Sequence, residues 1–542
     1  ACTPLAPPHI ETVPAPMLEK LSLRTPSNLP SQQELAVDRF DQSAEAWVGI
    51  AEVGALSEVD QSPVGGLQWS VDVVPERIAV LNRDWPALAE ADGLTIKMTS
   101  LDRAALLILG VHETDGSAYS VVLPLEHGDL THYSVAYEEF GLIADSEDEN
   151  DRLDPEQLIS ISFVDFTGYI ASPGSNRILL EEIVLWEGAP DRTNITCSIP
   201  GGVDGPQGFR VGVDASFVPV GEQQGHSFWV GDDRVDPLEL FTANGANAFR
   251  LRLFVGEKGE SKLDFATEVA KRVTPIGLKP YLILFLSDDW ADVNKQPAPA
   301  EWAALTLEER AEAIRKYSHE TVQHFIDQGI TMDFYEIGNE IDYGIAGVFA
   351  DTKHPRDPHT LRQSIWVDDA FLIKAAIEGV RKADPEAKIL LHIATSWSPD
   401  FASAFFQAMA DLGVDYDYAG LSYYPSVFGP PSAIQFCVTL DRLSTEVGKP
   451  IIIAETAYPA EPPTGGLFQD WRRSLYGYPL TPEGQAWWLM DFLEAMRGRK
   501  DVLGVYLFSP DFWFSGELWG PFALFDNEGM ARPAVASMNP GP

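Results

Sequence analysis

The pattern of apolar and polar residues divides the chain into two regions. Between residues 40 and 190, short runs rich in apolar and β-branched residues are separated by turn-rich or acidic segments. The clearest runs are LTIKMTS (94–100), ALLILGVHE (105–113), YSVVLPL (119–125), ISISFVDF (159–166) and ILLEEIVLW (178–186). A series of this kind is typical of an antiparallel sandwich. We therefore predict a jelly-roll domain over residues 39–190.

Beyond residue 209, strand-like runs alternate with amphipathic helical segments. The strand-like runs are FRVGVD (209–214), NAFRLRLF (247–254), KPYLILFL (279–286), MDFYEIGN (332–339), KILLHIAT (388–395), DYAGLSYY (417–424), PIIIAET (450–456) and VLGVYLFS (502–509). Segments between them, such as LDFATEVAKRV and EGQAWWLMDFLEAMR, repeat apolar residues every three or four positions, as α-helices do. Strand and helix units in this order predict an α/β fold, a (β/α)8 barrel over residues 209–542.

Two segments outside these domains lack regular patterning. Residues 1–38 are rich in Pro, Ser and Thr, which predicts a flexible tether. Gly and Pro are dense between residues 188 and 208, so we predict a linker over residues 191–208.

Polar residues at the ends of the barrel strands carry the chemical information. The fourth strand ends in Asn339 and Glu340, and the seventh ends in Glu455. In a (β/α)8 barrel the carboxyl ends of the strands hold the active site, so these two carboxylates can meet across its mouth. Paired carboxylates perform glycoside hydrolysis, although either glutamate could instead be an exposed loop residue. Glu336 precedes Glu340 by four residues and so lies about 13 Å lower along the strand. At that depth we expect it to have a buried partner such as Arg252.

The net charge of the chain limits its classes of binding partner, and its cysteines bear on metal sites, disulfides and lipid attachment. The chain contains 38 Lys and Arg residues and 81 Asp and Glu residues, which give a formal charge of -43. Such a surface repels phosphate, so nucleic acid and anionic lipid are excluded as partners. The three cysteines predict neither a metal cluster nor a disulfide framework. Ala1-Cys2 resembles the start of a mature bacterial lipoprotein, with a lipid anchor on Cys2, unless the cysteine is a cloning artefact.

Motifs in the barrel resemble glycoside hydrolase family 53, the endo-β-1,4-galactanases of the clan of retaining (β/α)8 glycosidases. From residue 212 to residue 538 they run, in order, GVDAS, ANGANAFRLRLFV, SDDWADVNKQ, IGNEI, GLSYYP, ETAYP, YPLTPEGQ and ALFDNEG. The resemblance implies internal cleavage of β-1,4-galactan, the side chain of pectic arabinogalactan. It also implies a secreted or surface-anchored enzyme, which we expect to be a monomer.

The resemblance further implies roles for individual residues. Glu340 would be the general acid/base, Asn339 would bind the sugar 2-hydroxyl, and Glu455 would be the nucleophile. Retention predicts about 5–5.5 Å between the two carboxyl groups. Either Arg250 or Arg252 would hold the nucleophile ionised, and we favour Arg250. Further residues expected at the substrate are Asp214, Asp288, Trp290, Asp292, His392 and Tyr424.

Departures from the family pattern leave the substrate open. Phe285 stands where the family has His, Phe508 where it has Trp, and Val427 where it often has an aromatic residue. The expected replacements for lost sugar contacts are Trp397, Trp513, Phe514 and Trp519. The alternatives are therefore hydrolysis of another β-linked galactose- or glucose-containing polysaccharide, or sugar binding without turnover.

The remaining predictions concern sugar binding by the sandwich and metal binding in both domains. The order of LILGVHETDGSAYSV, DSEDENDRLDPEQLISISF and NRILLEEIVLW makes the region 39–190 resemble galactose-binding-like carbohydrate-binding modules. Trp69, Trp85 and Trp186 are a candidate sugar platform, and a structural companion domain is the alternative. The loop after strand seven lacks an acidic cluster, so we predict no metal in the barrel and no cofactor. Residues 145–154, DSEDENDRLD, could bind calcium in the sandwich or form a solvated acidic loop.

Overall fold

The computed structural model contains an antiparallel sandwich followed by a barrel. It describes residues 13–20, 32–41, 44–143, 146–148, 150, 152–170, 174–188, 197, 208–256, 260–351 and 354–539. The sandwich strands are β1 (Gln33–Asp38), β2 (Val48–Ala51), β3 (Leu56–Gln61), β4 (Leu67–Val73), β5 (Ala79–Asp84), β6 (Gly93–Ser100), β7 (Ala105–Glu113), β8 (Ala118–Leu125), β9 (Leu130–Ala136), β10 (Gly141–Leu142), β11 (Leu158–Asp165) and β12 (Gly174–Glu187).

These strands form two sheets that enclose one apolar core. One sheet has the order β3-β4-β12-β6-β9, with β1 also paired to β12, and the other has the order β10-β8-β7-β11-β5-β2. Every pairing in both sheets is antiparallel. Alternating residues of β4 are buried, as expected when one face of a strand packs on the opposite sheet. The predicted sandwich is confirmed.

The predicted tryptophan platform of the sandwich is wrong. Trp69 and Trp186 have no exposed surface, and Trp85 is 7% exposed. Trp69 points into the core and donates its indole N–H to Ser57 Oγ at 2.9 Å. Trp186 packs against Tyr476 of the barrel. These rings are therefore part of the packing, and a sugar cannot stack on them.

Two segments of the predicted tether are structured. Residues Gln33–Asp38 form β1, which pairs with the end of β12. Near residue 18 the chain lies on the barrel, where Leu18 N–H donates to Asn244 Oδ1 at 2.8 Å. Cys2 and most of the predicted linker lie outside the described residues.

The predicted (β/α)8 barrel is confirmed. Strands from residue 210 onward are β13 (Arg210–Asp214), β14 (Phe228–Val230), β15 (Asp233–Val235), β16 (Ala248–Leu253), β17 (Lys279–Leu284), β18 (Tyr335–Ile337), β19 (Gly344–Ile345), β20 (Val348–Phe349), β21 (Ile389–Ile393), β22 (Tyr418–Tyr423), β23 (Ile451–Thr456) and β24 (Val502–Phe508). Eight of them close a parallel barrel in the order β13-β16-β17-β18-β21-β22-β23-β24. Closure brings β24 back beside β13, so all eight strands end on one face.

Helices cover the outside of the barrel. The helices in the described part of the chain are α1 (Thr167–Ile170), α2 (Val218–Gln223), α3 (Pro237–Ala243), α4 (Leu263–Val273), α5 (Leu307–Asp327), α6 (Pro358–Gln363), α7 (Ile365–Ala383), α8 (Pro399–Asp411), α9 (Pro425–Phe428), α10 (Pro430–Arg442) and α11 (Pro482–Arg497). Thr306 and Glu309 form a capping box that fixes the start of α5. The apolar face of each long helix is buried against the barrel, as the periodicity predicts.

Aromatic rings fill the lower part of the barrel interior. Tyr281 stacks on Phe334 with ring centroids 4.2 Å apart and meets the edge of Tyr506 at 4.8 Å. Gly212 makes room for this layer, because a Cβ there would lie 1.9 Å from the Tyr506 ring. This apolar floor leaves only the upper barrel for polar side chains.

A disulfide joins the region before the barrel to its outer helices, which corrects the expectation that the cysteines form no disulfide framework. Cys197 and Cys437 are bonded, with their Cα atoms 5.0 Å apart. The two cysteines are 240 residues apart in sequence, so no local spacing signals the pair. Cys437 lies on α10, which also contacts the sandwich through a 2.8 Å hydrogen bond from Gln435 Nε2 to Tyr133 OH.

Among the described residues, no helix combines the length and apolar content needed to cross a bilayer.

Replacing both Cys197 and Cys437 with Ser should lower the thermal unfolding midpoint. A cross-link over so long a loop restricts the unfolded chain, and its loss costs about 2–5 kcal/mol. Differential scanning calorimetry without reductant measures the shift. Reductant should lower the midpoint of the wild type but not of the double variant; equal midpoints without reductant would contradict the stabilising role.

Candidate active site

The turn after β18 presents Asn339 and Glu340 at the open face of the barrel. Gly338 and Glu340 have positive φ angles of 76° and 47°. A Cβ at Gly338 would lie 2.4 Å from Ile341, so only glycine fits there. A positive φ is uncommon for Glu, and such strain clusters at functional sites. The abrupt end of this apolar strand thus directs one amide and one carboxyl group to the barrel mouth.

Arg250, on β16, is the centre of a buried charge network. Its guanidinium has no exposed surface and donates to Asp214 Oδ2 at 2.9 Å. The same group lies 3.2 Å from Glu336 Oε1 and 2.8 Å from Glu455 Oε1. Arg250 also donates to Asn339 Oδ1 at 2.6 Å. One cation therefore fixes the first, fourth and seventh barrel strands relative to one another.

Arg252 has a different role from the one expected. Its Nε donates to Asp214 Oδ2 at 2.8 Å and its Nη2 to Ser509 Oγ at 2.6 Å. Its guanidinium lies over the rings of Phe217 and Phe508, at 4.8 and 4.7 Å from their centroids. The sequence-based pairing of Arg252 with Glu336 is wrong, because Arg250 projects between β16 and β18 and occupies that position.

No arginine in the described part of the chain pairs with Glu340, which is only 8% exposed. Burial raises the pKa of its carboxyl well above the usual range, and the charge of Glu455 raises it further. A hydrogen bond from Ser422 Oγ to Glu340 Oε1, at 2.6 Å, acts in the opposite direction. The balance favours the protonated carboxyl.

Glu340 is linked to Glu336 through two intervening side chains. His392 Nδ1 lies 2.9 Å from Glu336 Oε1, and its Nε2 lies 2.8 Å from Ser422 Oγ. Ser422 in turn contacts Glu340. The Coulomb attraction of Arg250 and His392 lowers the pKa of Glu336 despite its burial. His392 and Ser422 therefore connect the two glutamates by a continuous series of polar contacts.

Glu455, at the end of β23, has two polar contacts. Beside the Arg250 guanidinium, it accepts a 2.7 Å hydrogen bond from Tyr424 OH. Burial and the neighbouring carboxylates raise the pKa of Tyr424 well above its ordinary value, so the phenol remains a donor. One carboxyl oxygen of Glu455 lies within 4.8 Å of one of Glu340.

Three predicted substrate contacts lie behind the surface of the site. Asp214, Arg250 and His392 have no exposed surface, so they support other side chains and do not line the cleft. Arg252 is 3% exposed and is covered in the same way. The reason is that the charged side chains that face the inside of the upper barrel pair with one another.

The loop after β17 contributes an exposed wall. Trp290 is half-buried and donates its indole N–H to Asp292 Oδ2 at 3.0 Å. Asp288 Oδ2 accepts from the Ala300 backbone N–H at 2.8 Å. Phe285, the residue that replaces the expected His, is fully buried and packs against Trp290 at 5.2 Å. Phe285 therefore supports the Trp290 ring and offers no polar contact to a sugar.

The aromatic residues of the last loops differ in how far they are exposed. Trp513 and Trp519 are 9% and 2% exposed, so these two expected sugar contacts are covered. Trp519 stacks on Phe522 at 4.6 Å and meets Phe508 at 5.0 Å. Phe508 remains partly exposed. Phe514 stacks on His226, and Trp397 meets the edge of Phe428.

Sequence reasoning missed several residues of the site. Ser422 was overlooked because it lies inside a strand, where its side-chain direction depends on the barrel. Gln296 donates to the backbone oxygens of Asn339 and Glu340, at 2.8 and 3.2 Å, and holds their turn. Trp471, in the long loop after β23, packs against Tyr424 at 5.0 Å. The motifs GLSYYP and ETAYP do not indicate the contact between Trp471 and Tyr424.

Two groups of side chains could hold a cation. Glu340, His392 and Glu455 approach one another, but both nitrogens of His392 already contact Glu336 and Ser422. In the sandwich, Glu113, Asp115 and Asp148 bring carboxylate oxygens within 4.8 Å. Only Asp148 of this second group belongs to the predicted calcium segment. Calcium binding there stays a prediction.

Comparison with known families identifies the barrel. The model of glycosyl hydrolase family 53 matches residues 210–538, which is more than half of the chain. The chain belongs to this family. The two glutamates of this family 53 barrel are therefore part of a glycoside hydrolase, and the fold and enzyme class predicted from the motifs are confirmed.

Several relatives resemble this family 53 chain over nearly their whole length. An uncharacterized protein of Niallia circulans is 32% identical over 356 residues, which is 62% of this chain and 94% of the relative. The arabinogalactan endo-β-1,4-galactanase of Cellvibrio japonicus is 29% identical over 334 residues, 59% and 85% of the two chains. A structure described as the catalytic domain of Ignisphaera aggregans GH53 has a TM-score of 0.55 and 26% identity, covering 62% of this chain and 96% of that one.

Replacing Arg250 with Met should destabilise the barrel by roughly 3–5 kcal/mol, because it removes the arginine partner of the buried Glu336 and Glu455 and leaves Asp214 with Arg252 alone. Guanidinium chloride unfolding measures the loss. Arg315, whose 2.7 Å pair with Glu378 is exposed, provides the matched control, and Arg315→Met should cost less than about 1 kcal/mol. Equal effects of the two substitutions would refute the central role of Arg250.

Proposed function

We propose that this protein is a retaining endo-β-1,4-galactanase. Glu340 acts as the general acid/base and Glu455 as the nucleophile. The observation that carries the proposal is the contrast between these two carboxyl groups, which lie within 4.8 Å of each other. One is buried without a cation, and the other is paired with Arg250. The acid and the nucleophile of a retaining glycosidase need this difference in protonation.

In the first step, Glu455 attacks the anomeric carbon while Glu340 protonates the leaving oxygen. Arg250 and Tyr424 hold the attacking carboxylate in place through the contacts at 2.8 and 2.7 Å. The glycosyl group is then bonded covalently to Glu455. The loss of the Glu340 proton leaves a carboxylate that Ser422 can stabilise with its hydroxyl.

In the second step, the ionised Glu340 removes a proton from water, whose oxygen attacks the anomeric carbon and breaks the bond from that carbon to Glu455, which leaves as a carboxylate. Two inversions at one carbon give net retention. The short separation of the carboxyl oxygens supports this route, because an inverting pair leaves room for a water between the groups, at about 6.5–9.5 Å.

Asn339 has no exposed surface, so the contact that we propose with the sugar 2-hydroxyl requires neighbouring groups to move when substrate binds. Its Oδ1 accepts from Arg250 and its Nδ2 donates to the Ala291 carbonyl at 2.9 Å, so the amide orientation is fixed. An amide nitrogen carries two hydrogens, and the second can serve the substrate. A contact that strengthens as positive charge develops on the sugar ring lowers the barrier.

The names of the curated relatives support galactan as the substrate. Phe285 and Phe508 favour a second candidate, hydrolysis of another β-linked polysaccharide, because Phe285 supplies no polar contact where the family has His. Loss of a hydrogen-bonding group shifts discrimination between sugars substantially. A panel of β-glycans separates the two candidates.

We infer that the enzyme works outside the cytoplasm. The Cys197–Cys437 disulfide supports this location, since disulfides persist in oxidising compartments. Attachment through Cys2 and the monomeric state stay predictions.

Wild-type protein should release reducing ends from debranched β-1,4-galactan and produce a range of internal fragments, because both glutamates are present. Glu455→Gln should abolish this release, since an amide cannot form the glycosyl ester. Reducing-sugar assays and product chromatography on galactan and other β-glycans provide the measurement. Activity on another β-glycan alone would favour the second candidate, and inactivity on every glycan would overturn the proposed function.

Glu340→Gln should lower the rate on galactan by about 10²–10⁴-fold, the usual contribution of general acid catalysis. An aryl galactobioside with a strongly acidic leaving group needs no proton, so release of the aryl group should fall much less. Burst kinetics with this substrate measure the glycosylation step. Equal losses on both substrates would contradict the assignment of Glu340 as the acid.

Ser422→Ala should move the alkaline limb of the kcat/KM profile to higher pH. Glu340 acts while protonated, and the Ser422 hydrogen bond lowers its pKa, so removal of that bond extends the protonated range. Ser537→Ala, which removes a hydroxyl bonded to the Ala486 carbonyl, is the control and should leave the limb in place. A shift to lower pH in Ser422→Ala would oppose this account.

A further inference from the structure

One long loop contacts both the sandwich domain and the aromatic residues beside Glu455. It follows β23 and spans residues 457–481. Phe468 and Trp471 lie on the side of the loop that faces Tyr424 and Trp519, whereas Arg472, Arg473 and Ser474 face the sandwich. We call residues 461–476 the bridging loop.

Trp471 lies one ring away from the nucleophile. Its ring centroid is 5.0 Å from that of Tyr424, whose hydroxyl donates to Glu455. Phe468 supports it at 4.6 Å. Both rings of the bridging loop are only half-buried, unlike Trp519 beneath them at 2% exposure. The aromatic surface open to a ligand on this side is therefore made by the bridging loop.

A half-exposed indole beside a glycosidase centre suits a sugar ring. Aromatic faces offer large apolar contact areas, and carbohydrate rings carry apolar C–H faces between their hydroxyl groups. Tyr424 and Phe508, both partly exposed, continue the same surface toward Glu455. A galactosyl unit adjacent to the one undergoing cleavage would meet Trp471 first.

The sandwich holds the bridging loop through several hydrogen bonds. Arg473 Nη2 donates to Ser120 Oγ at 3.2 Å, and its Nε donates to the Ser120 carbonyl at 3.3 Å. Arg472 donates to the Leu142 carbonyl at 3.1 Å, and Ser474 to the Glu138 carbonyl at 3.0 Å. All of the accepting groups belong to β8, β10 or the turn between β9 and β10.

Arg473 also connects these contacts with the catalytic side. Its Nη1 donates to the carbonyls of Val427 and Asp470, at 3.1 and 3.2 Å. Val427 follows Tyr424 by three residues, and Asp470 precedes Trp471. Burial lowers the pKa of Arg473 to about 10, so the side chain remains charged at neutral pH. One guanidinium thus clamps the sandwich, the Tyr424 segment and the Trp471 segment together.

We propose that Trp471 is a sugar-stacking residue of the galactan cleft and that the β-sandwich positions it through Arg473. This inference rests on the proposed galactanase activity. It gives the sandwich a role in substrate binding at the barrel, distinct from carrying a sugar site of its own. Arg473 is a positioning residue, since it acts on the substrate only through Trp471 and Tyr424.

Kinetics on end-labelled β-1,4-galactan oligosaccharides of increasing length test the stacking role. Trp471→Ala should raise KM on the longer oligosaccharides roughly three- to tenfold, leave the shortest cleaved oligosaccharide unchanged, and change kcat little. Trp471→Phe should recover part of the loss. The same KM as wild type at every length would overturn the proposal, while hydrolysis by the wild type would leave the proposed function intact. Wild-type inactivity on every length would overturn both.

Variants of the anchor test the positioning role. Arg473→Ala should raise KM in the same length-dependent way as Trp471→Ala, and Arg473→Lys should restore part of it. Ser120→Ala, which removes a single bond, covers the case in which Arg473→Ala fails to fold and should raise KM to a smaller extent. Gln435→Ala breaks a domain contact to Tyr133 outside the bridging loop and should leave KM unchanged. Normal KM in folded Arg473→Ala and Ser120→Ala, or equal effects of Gln435→Ala, would refute positioning by the sandwich.

Discussion

The ion pairs of Arg250 constrain the rest of the barrel interior. A fully buried guanidinium is unfavourable unless anionic groups surround it, and Asp214, Glu336 and Glu455 supply them from three strands. Glu336 and Glu455 in turn have Arg250 as their arginine partner, whereas Asp214 is shared between Arg250 and Arg252. The mutual requirement fixes side-chain positions before substrate binds, which is the preorganisation that catalysis by positioned charges requires. The aromatic floor beneath the network excludes water from its lower side.

The same network explains how two glutamates at one barrel mouth behave differently. Arg250 lies against Glu455 and leaves Glu340 without a cation, so burial and the neighbouring charge keep the Glu340 proton in place. The hydrogen bond from Ser422 lowers the pKa of Glu340 without cancelling the rise. The difference between the two carboxyl groups therefore follows from which of them lies against the arginine.

Local patterns in the sequence predicted the parts of the molecule that local physics determines. Alternation and helical periodicity gave both domains, and the ends of strands pointed to Glu340 and Glu455. Contacts between distant segments were missed, since the Cys197–Cys437 bond spans 240 residues and leaves no local trace. The errors at Trp69 and Trp519 have the same origin, because residue type signals an aromatic ring but not whether a neighbouring layer covers it. Trp471 was missed for the converse reason, since the sequence does not show that this ring lies half-exposed beside Tyr424.

The central claim is that Glu455, held by Arg250, forms a covalent bond with the sugar. Incubation with a 2-deoxy-2-fluoro-β-galactobioside bearing a good leaving group slows hydrolysis of such a bond and permits its detection. Peptide mass spectrometry of the inactivated protein should show one added fluorogalactobiosyl group on the peptide that contains Glu455. A label on Glu340 or Glu336, or steady turnover with inversion of configuration and no adduct, would contradict the account.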